Sequence, residues 1–207
     1  VIACHLEKIM AKLYFRYGTV GSAKTLNLLA VAHNYQQQGK TAFIIKPALD
    51  ARWDVTMVRS RAGLERKADL LVDADSKLDF DTLIDVDCIL VDEAQFLTED
   101  VIDQLRTITD VLRIPVICYG LRTDFRATLF EGARRLLEVA DTIEEVKTTC
   151  AFCNHKAIFN LKFLNGEPTL GGPSIDLGAE EKYLPACHRC YRTKLNLTSL
   201  KREGSTT

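Results

Sequence analysis

The sequence predicts an α/β fold, a parallel sheet flanked by helices, followed by a smaller domain near the C-terminus. Three observations carry this. Apolar strand-like runs alternate with helix-like segments from residue 13 to residue 146, and such alternation implies parallel strands joined by right-handed crossovers. The first run passes through a loop of small residues, Gly18-Thr19-Val20-Gly21-Ser22-Ala23-Lys24-Thr25, straight into a helix. Two Cys-x-x-Cys pairs, Cys150/Cys153 and Cys187/Cys190, stand beyond the last run. The expected organisation is an N-terminal extension over 1–9, the sheet domain over 10–147, the cysteine domain over 148–198 and a polar, disordered tail over 199–207.

The elements follow in order. Leu13-Tyr14-Phe15-Arg16-Tyr17 reads as a short buried strand, and residues 26–32 as a helix. Gln36-Gln37-Gln38-Gly39-Lys40 ends that helix with a glycine where C-termini favour a left-handed residue. Residues 41–46 form the second strand, stopped by Pro47. The stretch onward to Gly63 is charged, with Asp50, Arg52, Asp54, Arg59 and Arg61. It reads as an irregular loop, either a solvated connector or part of a site. Residues 68–72 read as a short strand and 77–84 as a helix. Cys88-Ile89-Leu90-Val91 is uniformly apolar, as a strand buried on both faces requires. A helix over 98–112, a strand over 115–119, a loop over 121–130, a helix over 132–140 and a strand over 142–146 complete the domain.

A strand, a small-residue loop ending in Lys-Thr and a helix make the context of a P-loop, which gives the sheet a RecA-like character. Loop N–H groups and the helix N-terminus present positive partial charge to phosphate oxygens. Lys24 is expected to reach the β- and γ-phosphates of ATP, and the Thr25 hydroxyl to hold Mg²⁺. The nucleotide set is therefore Gly18, Thr19, Val20, Gly21, Ser22, Ala23, Lys24 and Thr25, joined by Asp92 and Gln95. Ala23 stands where the pattern has glycine, and its Cβ falls where the backbone bends tightly against the ligand.

Asp92-Glu93 closes the apolar run at the C-terminal strand end, where open α/β sheets place ligands. An acid there helps hold Mg²⁺. Glu93, one residue further, can turn towards a substrate and accept the proton of an attacking hydroxyl or orient a water. Glu99 and Asp100, by contrast, read as ordinary acids at a helix N-terminus.

The four paired cysteines supply soft thiolates with the spacing of a structural zinc site. Four thiolates leave no open position on the metal, so the site is structural rather than catalytic. His155 and His188 are neighbours of the set; His188 is positioned to replace a cysteine as ligand, though a lone neighbouring histidine more often reads as a bystander. Residues 146–191 offer little core of their own, so the metal is expected to define this module. The segment between the pairs, tethered at both ends, can fold over a neighbouring site as a lid. Cys88 and Cys118 lie in apolar runs and read as core.

Composition narrows the function classes. At 207 residues and 47% hydrophobic content, the chain suits one medium domain with an appendage. A net charge of −1 gives no basis for a nucleic-acid or membrane-surface partner. No apolar run approaches the roughly 20 residues that span a bilayer. His5, Glu7 and Lys8 do not fit a secretory leader, and seven cysteines do not suit a disulfide framework. A reducing, cytoplasmic setting is expected, and Asn196-Leu197-Thr198 reads as a chance glycosylation match.

Taken in this order, the P-loop, the acidic pair and the paired thiols resemble the type II thymidine kinases, the cytosolic zinc-containing family. The specific marks are Tyr17-Gly18-Thr19, Leu49-Asp50-Ala51-Arg52, Arg59-Ser60-Arg61 and Asp92-Glu93-Ala94-Gln95-Phe96-Leu97. To these are added Tyr119-Gly120-Leu121-Arg122-Thr123-Asp124-Phe125 and Lys182-Tyr183, so the likeness runs from about residue 10 to residue 191. The resemblance implies transfer of the γ-phosphate of ATP to the 5′-hydroxyl of thymidine or deoxyuridine, giving dTMP in pyrimidine salvage. It also implies a cytoplasmic homotetramer restrained by dTTP. By the same resemblance Glu93 is the general base, Arg52 orients the hydroxyl and stabilises charge, and Asp50 contacts the sugar. Phe96, Leu121, Phe125, Phe130, Val20 and Tyr183 would wall or approach the base pocket. Leu177, Gly178 and Ala179 belong to the family's lasso loop, which reads the thymine edge through backbone groups; Ala179 replaces a glycine there. Two other readings fit parts of the pattern: a P-loop ATPase gripping nucleic acid through a zinc module, and a nucleotide-binding regulator without turnover. The chain is short for two motor domains and lacks the basic excess that phosphate contacts need.

Overall fold

The computed structural model describes residues 10–48, 56–172 and 183–197. The extension over 1–9, the tail beyond 197, and the site candidates Asp50, Arg52, Leu177, Gly178 and Ala179 lie outside the described residues. In chain order the elements are β1 (Leu13–Tyr17), α1 (Lys24–Gln37), β2 (Ala42–Pro47), β3 (Met57–Arg59), β4 (Glu65–Lys67), β5 (Leu70–Val72), β6 (Cys88–Val91) and α2 (Glu99–Val111). They continue with β7 (Val116–Gly120), α3 (Glu131–Val139), β8 (Thr142–Glu145), β9 (Phe159–Leu164), β10 (Glu167–Thr169), β11 (Tyr183–Ala186) and α4 (His188–Lys194).

Six strands form one sheet in the order β5-β2-β6-β7-β1-β8, and every pairing is parallel. The register aligns Phe15 with Cys118, Cys118 with Val91, and Val91 with Ile45. Side chains in such a row share a face. That face packs against α2 and α3 through Val101, Leu105, Ala133 and Leu136. The alternate row, with Ile44, Leu90 and Ile117, packs against Leu28, Leu29 and Ala32 of α1. Burial on both faces is why β6 contains only apolar residues. Each such side chain contributes roughly 1.5–3 kcal/mol relative to exposure. α2 begins where the sequence signals it: the Thr98 hydroxyl accepts the Val101 N–H, and Glu99 and Asp100 occupy the first turn.

Two expectations are corrected. The stretch onward to Gly63 is not all irregular: it contains β3, which pairs with β4 beyond Gly63 in a hairpin pinned by the buried Val58 and by the Arg59–Glu65 ion pair across it. The helix expected over 77–84 is only a 3-10 turn over Phe80–Leu83. Asp79 accepts the Asp81 N–H at its start, the kind of local side-chain bond that competes with a longer helix.

Beyond β8, the strands β10-β9-β11 form an antiparallel sheet covered by α4. Asn165 and Gly166 make the β9–β10 turn, both with positive φ, as a tight hairpin requires. This module has more interior than its sequence suggests. Leu161, Ala157, Ala186 and Tyr191 are buried together, and Phe159 stacks on Tyr191 at 4.6 Å.

Candidate active site

The P-loop leaves the C-terminal end of β1 and turns into α1 through left-handed backbone at Gly21 (φ 71°) and Ala23 (φ 64°). Ala23 is the N-cap of α1, and its side chain makes no capping bond. Ala23 thus brings no side-chain acceptor to the first-turn N–H groups of α1, the groups a P-loop offers to phosphate. Lys24 Nζ donates to the carbonyls of Thr19 (2.8 Å) and Gly18 (3.3 Å) and to Ser22 Oγ (3.4 Å). Thr25 Oγ1 lies 3.2 and 3.4 Å from the two carboxylate oxygens of Asp92. Asp92 stands just past β6, so the loop hydroxyl and the strand-end acid meet although 67 positions separate them. A hydroxyl and a carboxylate facing each other beside a P-loop suit a hard divalent cation.

Glu93 follows Asp92 with φ 49° and ψ 38°, a left-handed conformation rare outside glycine. Successive residues on a strand face opposite ways. Leaving strand geometry at Glu93 lets both acids line the same cavity. The Glu93 carboxylate is held by Gln95, whose Nε2 donates to Oε2 at 2.6 Å. Gln95 Oε1 in turn accepts the Leu121 N–H at 2.9 Å, so only one amide orientation satisfies both. Gly120 makes room for this: a Cβ there would lie 2.7 Å from Gln95 Oε1. Gly132 of α3 backs the same turn, where a Cβ would lie 2.5 Å from the Ala94 carbonyl oxygen and 2.6 Å from that of Leu97.

The cavity between these groups is about 410 Å³. P-loop residues 20–25 form one wall, and Asp92, Glu93, Gln95, Phe96 and Leu121 another. Of the aromatic candidates, Phe96 lines the cavity and Phe130 stands behind it, edge to face at 5.6 Å. Phe125 and Tyr183 pair with each other at 6.3 Å, with the Lys162 ammonium over both rings, and are not among the cavity's lining residues. Sequence reasoning missed Lys46, which also lines the cavity, as does Arg61 of the charged stretch read as connector or site. Lys46 is 2% exposed at the end of β2 and donates to the Met57 carbonyl at 2.9 Å. A lysine closing an apolar strand is the signal for it, because a buried ammonium needs partners. Arg61 reaches the loop from the turn between β3 and β4, near Gly21.

The four cysteine sulfurs of Cys150, Cys153, Cys187 and Cys190 all lie within 4.8 Å of one another. Cys153 Sγ is 3.6 Å from both Cys187 Sγ and Cys190 Sγ. A tetrahedral ion with bonds of about 2.3 Å sets its sulfurs about 3.8 Å apart, so the donor set fits zinc. Backbone N–H groups of Phe152 and Cys190 point at Cys150 and Cys187. Burial pushes the Cys150 thiol up, but backbone and thiol hydrogen bonds outweigh it and lower it to about 7. His155 Nδ1 sits 3.4 Å from Cys153 Sγ, while the His188 ring lies against Phe159. Neither histidine belongs to the cluster.

Comparison with known proteins decides the family. The thymidine kinase family model matches residues 11–191. The chain belongs to the thymidine kinase family. A thymidine kinase of Lactiplantibacillus plantarum is 46% identical over 184 residues, covering 88% of this chain and 96% of that relative. A thymidine kinase of Streptococcus pyogenes serotype M3 is 41% identical over 187 residues, covering 88% and 97%. One from Streptococcus gordonii is 43% identical over 184 residues, covering 88% and 96%. Among solved structures, the Pif1 helicase of Candida albicans overlays on 66% of this chain and 36% of its own at 11% identity and a TM-score of 0.38, too distant to bear on function. Among the described residues no helix is long and apolar enough to cross a membrane.

Proposed function

We propose that this chain transfers the γ-phosphoryl group of ATP to the 5′-hydroxyl of thymidine or deoxyuridine, giving dTMP and ADP in cytoplasmic pyrimidine salvage. The observation that carries the reading is the one cavity lined by Lys24, Thr25 and Asp92 together with Glu93, Phe96 and Leu121. Lys24 and the first-turn N–H groups of α1 hold the β- and γ-phosphates and offset the charge that develops there. Thr25 and Asp92 would hold Mg²⁺, which would offset the negative charge of the transferred phosphoryl group. Glu93 accepts the 5′-hydroxyl proton as that oxygen bonds to the γ-phosphorus and the bond to the ADP oxygen breaks. Gln95 keeps the carboxylate aimed.

The finer roles come from the resemblance. Asp50 takes the sugar, and Arg52 orients the hydroxyl and stabilises charge. Phe125, Phe130 and Tyr183 complete the base pocket begun by Val20, Phe96 and Leu121, and the backbone at Leu177, Gly178 and Ala179 reads the thymine edge. Zn²⁺ on Cys150, Cys153, Cys187 and Cys190 is structural. The same reading includes a homotetramer, feedback inhibition by dTTP, no nucleic-acid partner, and domains over 10–147 and 148–198.

Phosphate transfer from ATP to thymidine, deoxyuridine, deoxycytidine and deoxyguanosine, compared side by side, tests the reading. Thymidine and deoxyuridine are expected to be phosphorylated and the others not. Glu93→Gln is expected to lower turnover by about 10²–10⁴-fold while thymidine still binds. Unchanged turnover removes Glu93 from the mechanism.

A further inference from the structure

The thiol module grips the catalytic loops through side chains that no catalytic role has yet used. Asn160 lies on β9, between the two thiol pairs in sequence, and is 3% exposed. Its Oδ1 accepts the Val20 N–H at 2.9 Å, and its Nδ2 donates to the Thr123 carbonyl at 2.9 Å. An N–H can only donate and a carbonyl only accept, so a single amide orientation serves both. Tyr191, the residue after Cys190, donates its hydroxyl to the Phe125 carbonyl at 2.6 Å. Three bonds from the metal-binding module thus reach two loops, the P-loop and the 121–130 loop. The Val20 N–H, turned to Asn160, is withheld from phosphate. Its bond fixes the path of the loop, while Val20 itself lines the cavity.

We propose that Asn160 is a positioning residue: it sets the P-loop and the 121–130 loop in register, so the thiol module serves catalysis through this amide. The proposal rests on the kinase reading above. The two halves of the amide are separable. Asn160→Asp keeps an acceptor for the Val20 N–H but turns a carboxylate against the Thr123 carbonyl. Asn160→Leu, of similar volume, removes both bonds.

The test compares the two variants with the wild-type enzyme for ADP binding by calorimetry, kcat and KM for thymidine, zinc content and Tm. Losing one buried bond corresponds to about a fivefold change in an equilibrium constant. Asn160→Leu is expected to weaken ADP about five- to twentyfold and to lower kcat, with zinc retained. Asn160→Asp is expected to hold ADP within about threefold while the thymidine KM rises about fivefold or more. The proposal is overturned if both quantities stay within about twofold of wild type in both variants. It is equally overturned if they shift by one common factor in step with a falling Tm or zinc loss, as a merely structural role dictates. Should Asn160→Leu not fold, an unchanged thymidine KM in Asn160→Asp overturns it alone. ADP binding needs no nucleoside. A wild-type protein that binds ADP yet leaves thymidine untouched therefore sinks the kinase reading and leaves the Val20 half of the proposal to be judged by the ADP titration.

Discussion

Ala23 occupies left-handed backbone at φ 64°, at the N-cap of α1 and in the loop that faces the cavity. Ala23→Gly is the perturbation that isolates its effect. A Cβ in this region costs roughly 1–2 kcal/mol against right-handed backbone. Alanine is also a poor N-cap, where glycine gives up only a few tenths of a kcal/mol to the best residues. Against this, glycine adds about 0.4–1 kcal/mol of unfolded-state entropy that folding must remove. The net expectation is a stabilisation of about 0.5–1 kcal/mol, or roughly 1–4 °C in Tm for a chain of this size. Urea unfolding should show a higher midpoint at unchanged slope, which separates native-state relief from a change in the denatured state. The KM for ATP should fall in the same variant, since the methyl group stands where the loop closes on phosphate. A lower urea midpoint would refute the strain argument. A raised midpoint with an unaltered ATP KM would show that the loop accommodates alanine without loss of phosphate contact.

Two further outcomes follow from contacts elsewhere. Gly132→Ala places a methyl group 2.5–2.6 Å from two backbone oxygens of the turn that carries Glu93 and Gln95. It is expected to cost about 1–3 kcal/mol and to lower kcat more than it raises the thymidine KM, as steady-state kinetics beside urea unfolding will check. Asp141 accepts the Leu13 N–H and the Arg106 guanidinium; burial pushes its pKa up, and these bonds outweigh that and hold it below the usual carboxylate range. A depressed folded pKa stabilises above the unfolded value of about 3.9, and the contribution vanishes as pH falls through the folded value. Asp141→Asn should therefore lower the urea midpoint at pH 7 and flatten its decline below about pH 4.

Much of this arrangement is legible in the chain. β6 reads directly because a strand buried on both faces must be apolar throughout, and Asp92 at its end marks the ligand edge. α2 reads directly because Thr98, Glu99 and Asp100 precede buried positions at 101, 105 and 108. The β3–β4 hairpin does not read, because three-residue strands rich in arginine and glutamate lack the period that betrays a strand. The helix expected over 77–84 fails for the opposite reason: its apolar spacing looks helical, while Asp79 offers the backbone a local alternative. Within the site, the P-loop, the acidic pair and the thiols announce themselves by residue type and spacing. Lys46 and Asn160 do not, because each acts through one or two bonds to distant backbone groups that only the fold supplies.

The geometry at Glu93 explains why several small residues gather in one place. A strand that ends in two acids sends them to opposite faces, which would leave either Asp92 or Glu93 on the side of the sheet away from the cavity. Left-handed backbone at Glu93 removes that conflict, at a conformational cost of roughly 1–2 kcal/mol for a non-glycine residue. Such strain persists only where its surroundings over-determine it. Here the surroundings are specific: the amide of Gln95 bridges Glu93 to the Leu121 N–H, Gly120 leaves room for that amide, and Gly132 lets α3 close against the turn. The carboxylate of Glu93, the proposed base, is thereby held on a fixed turn. The precision that phosphoryl transfer demands of a positioned carboxylate thus comes from backbone packing behind the cavity, on the side no substrate touches.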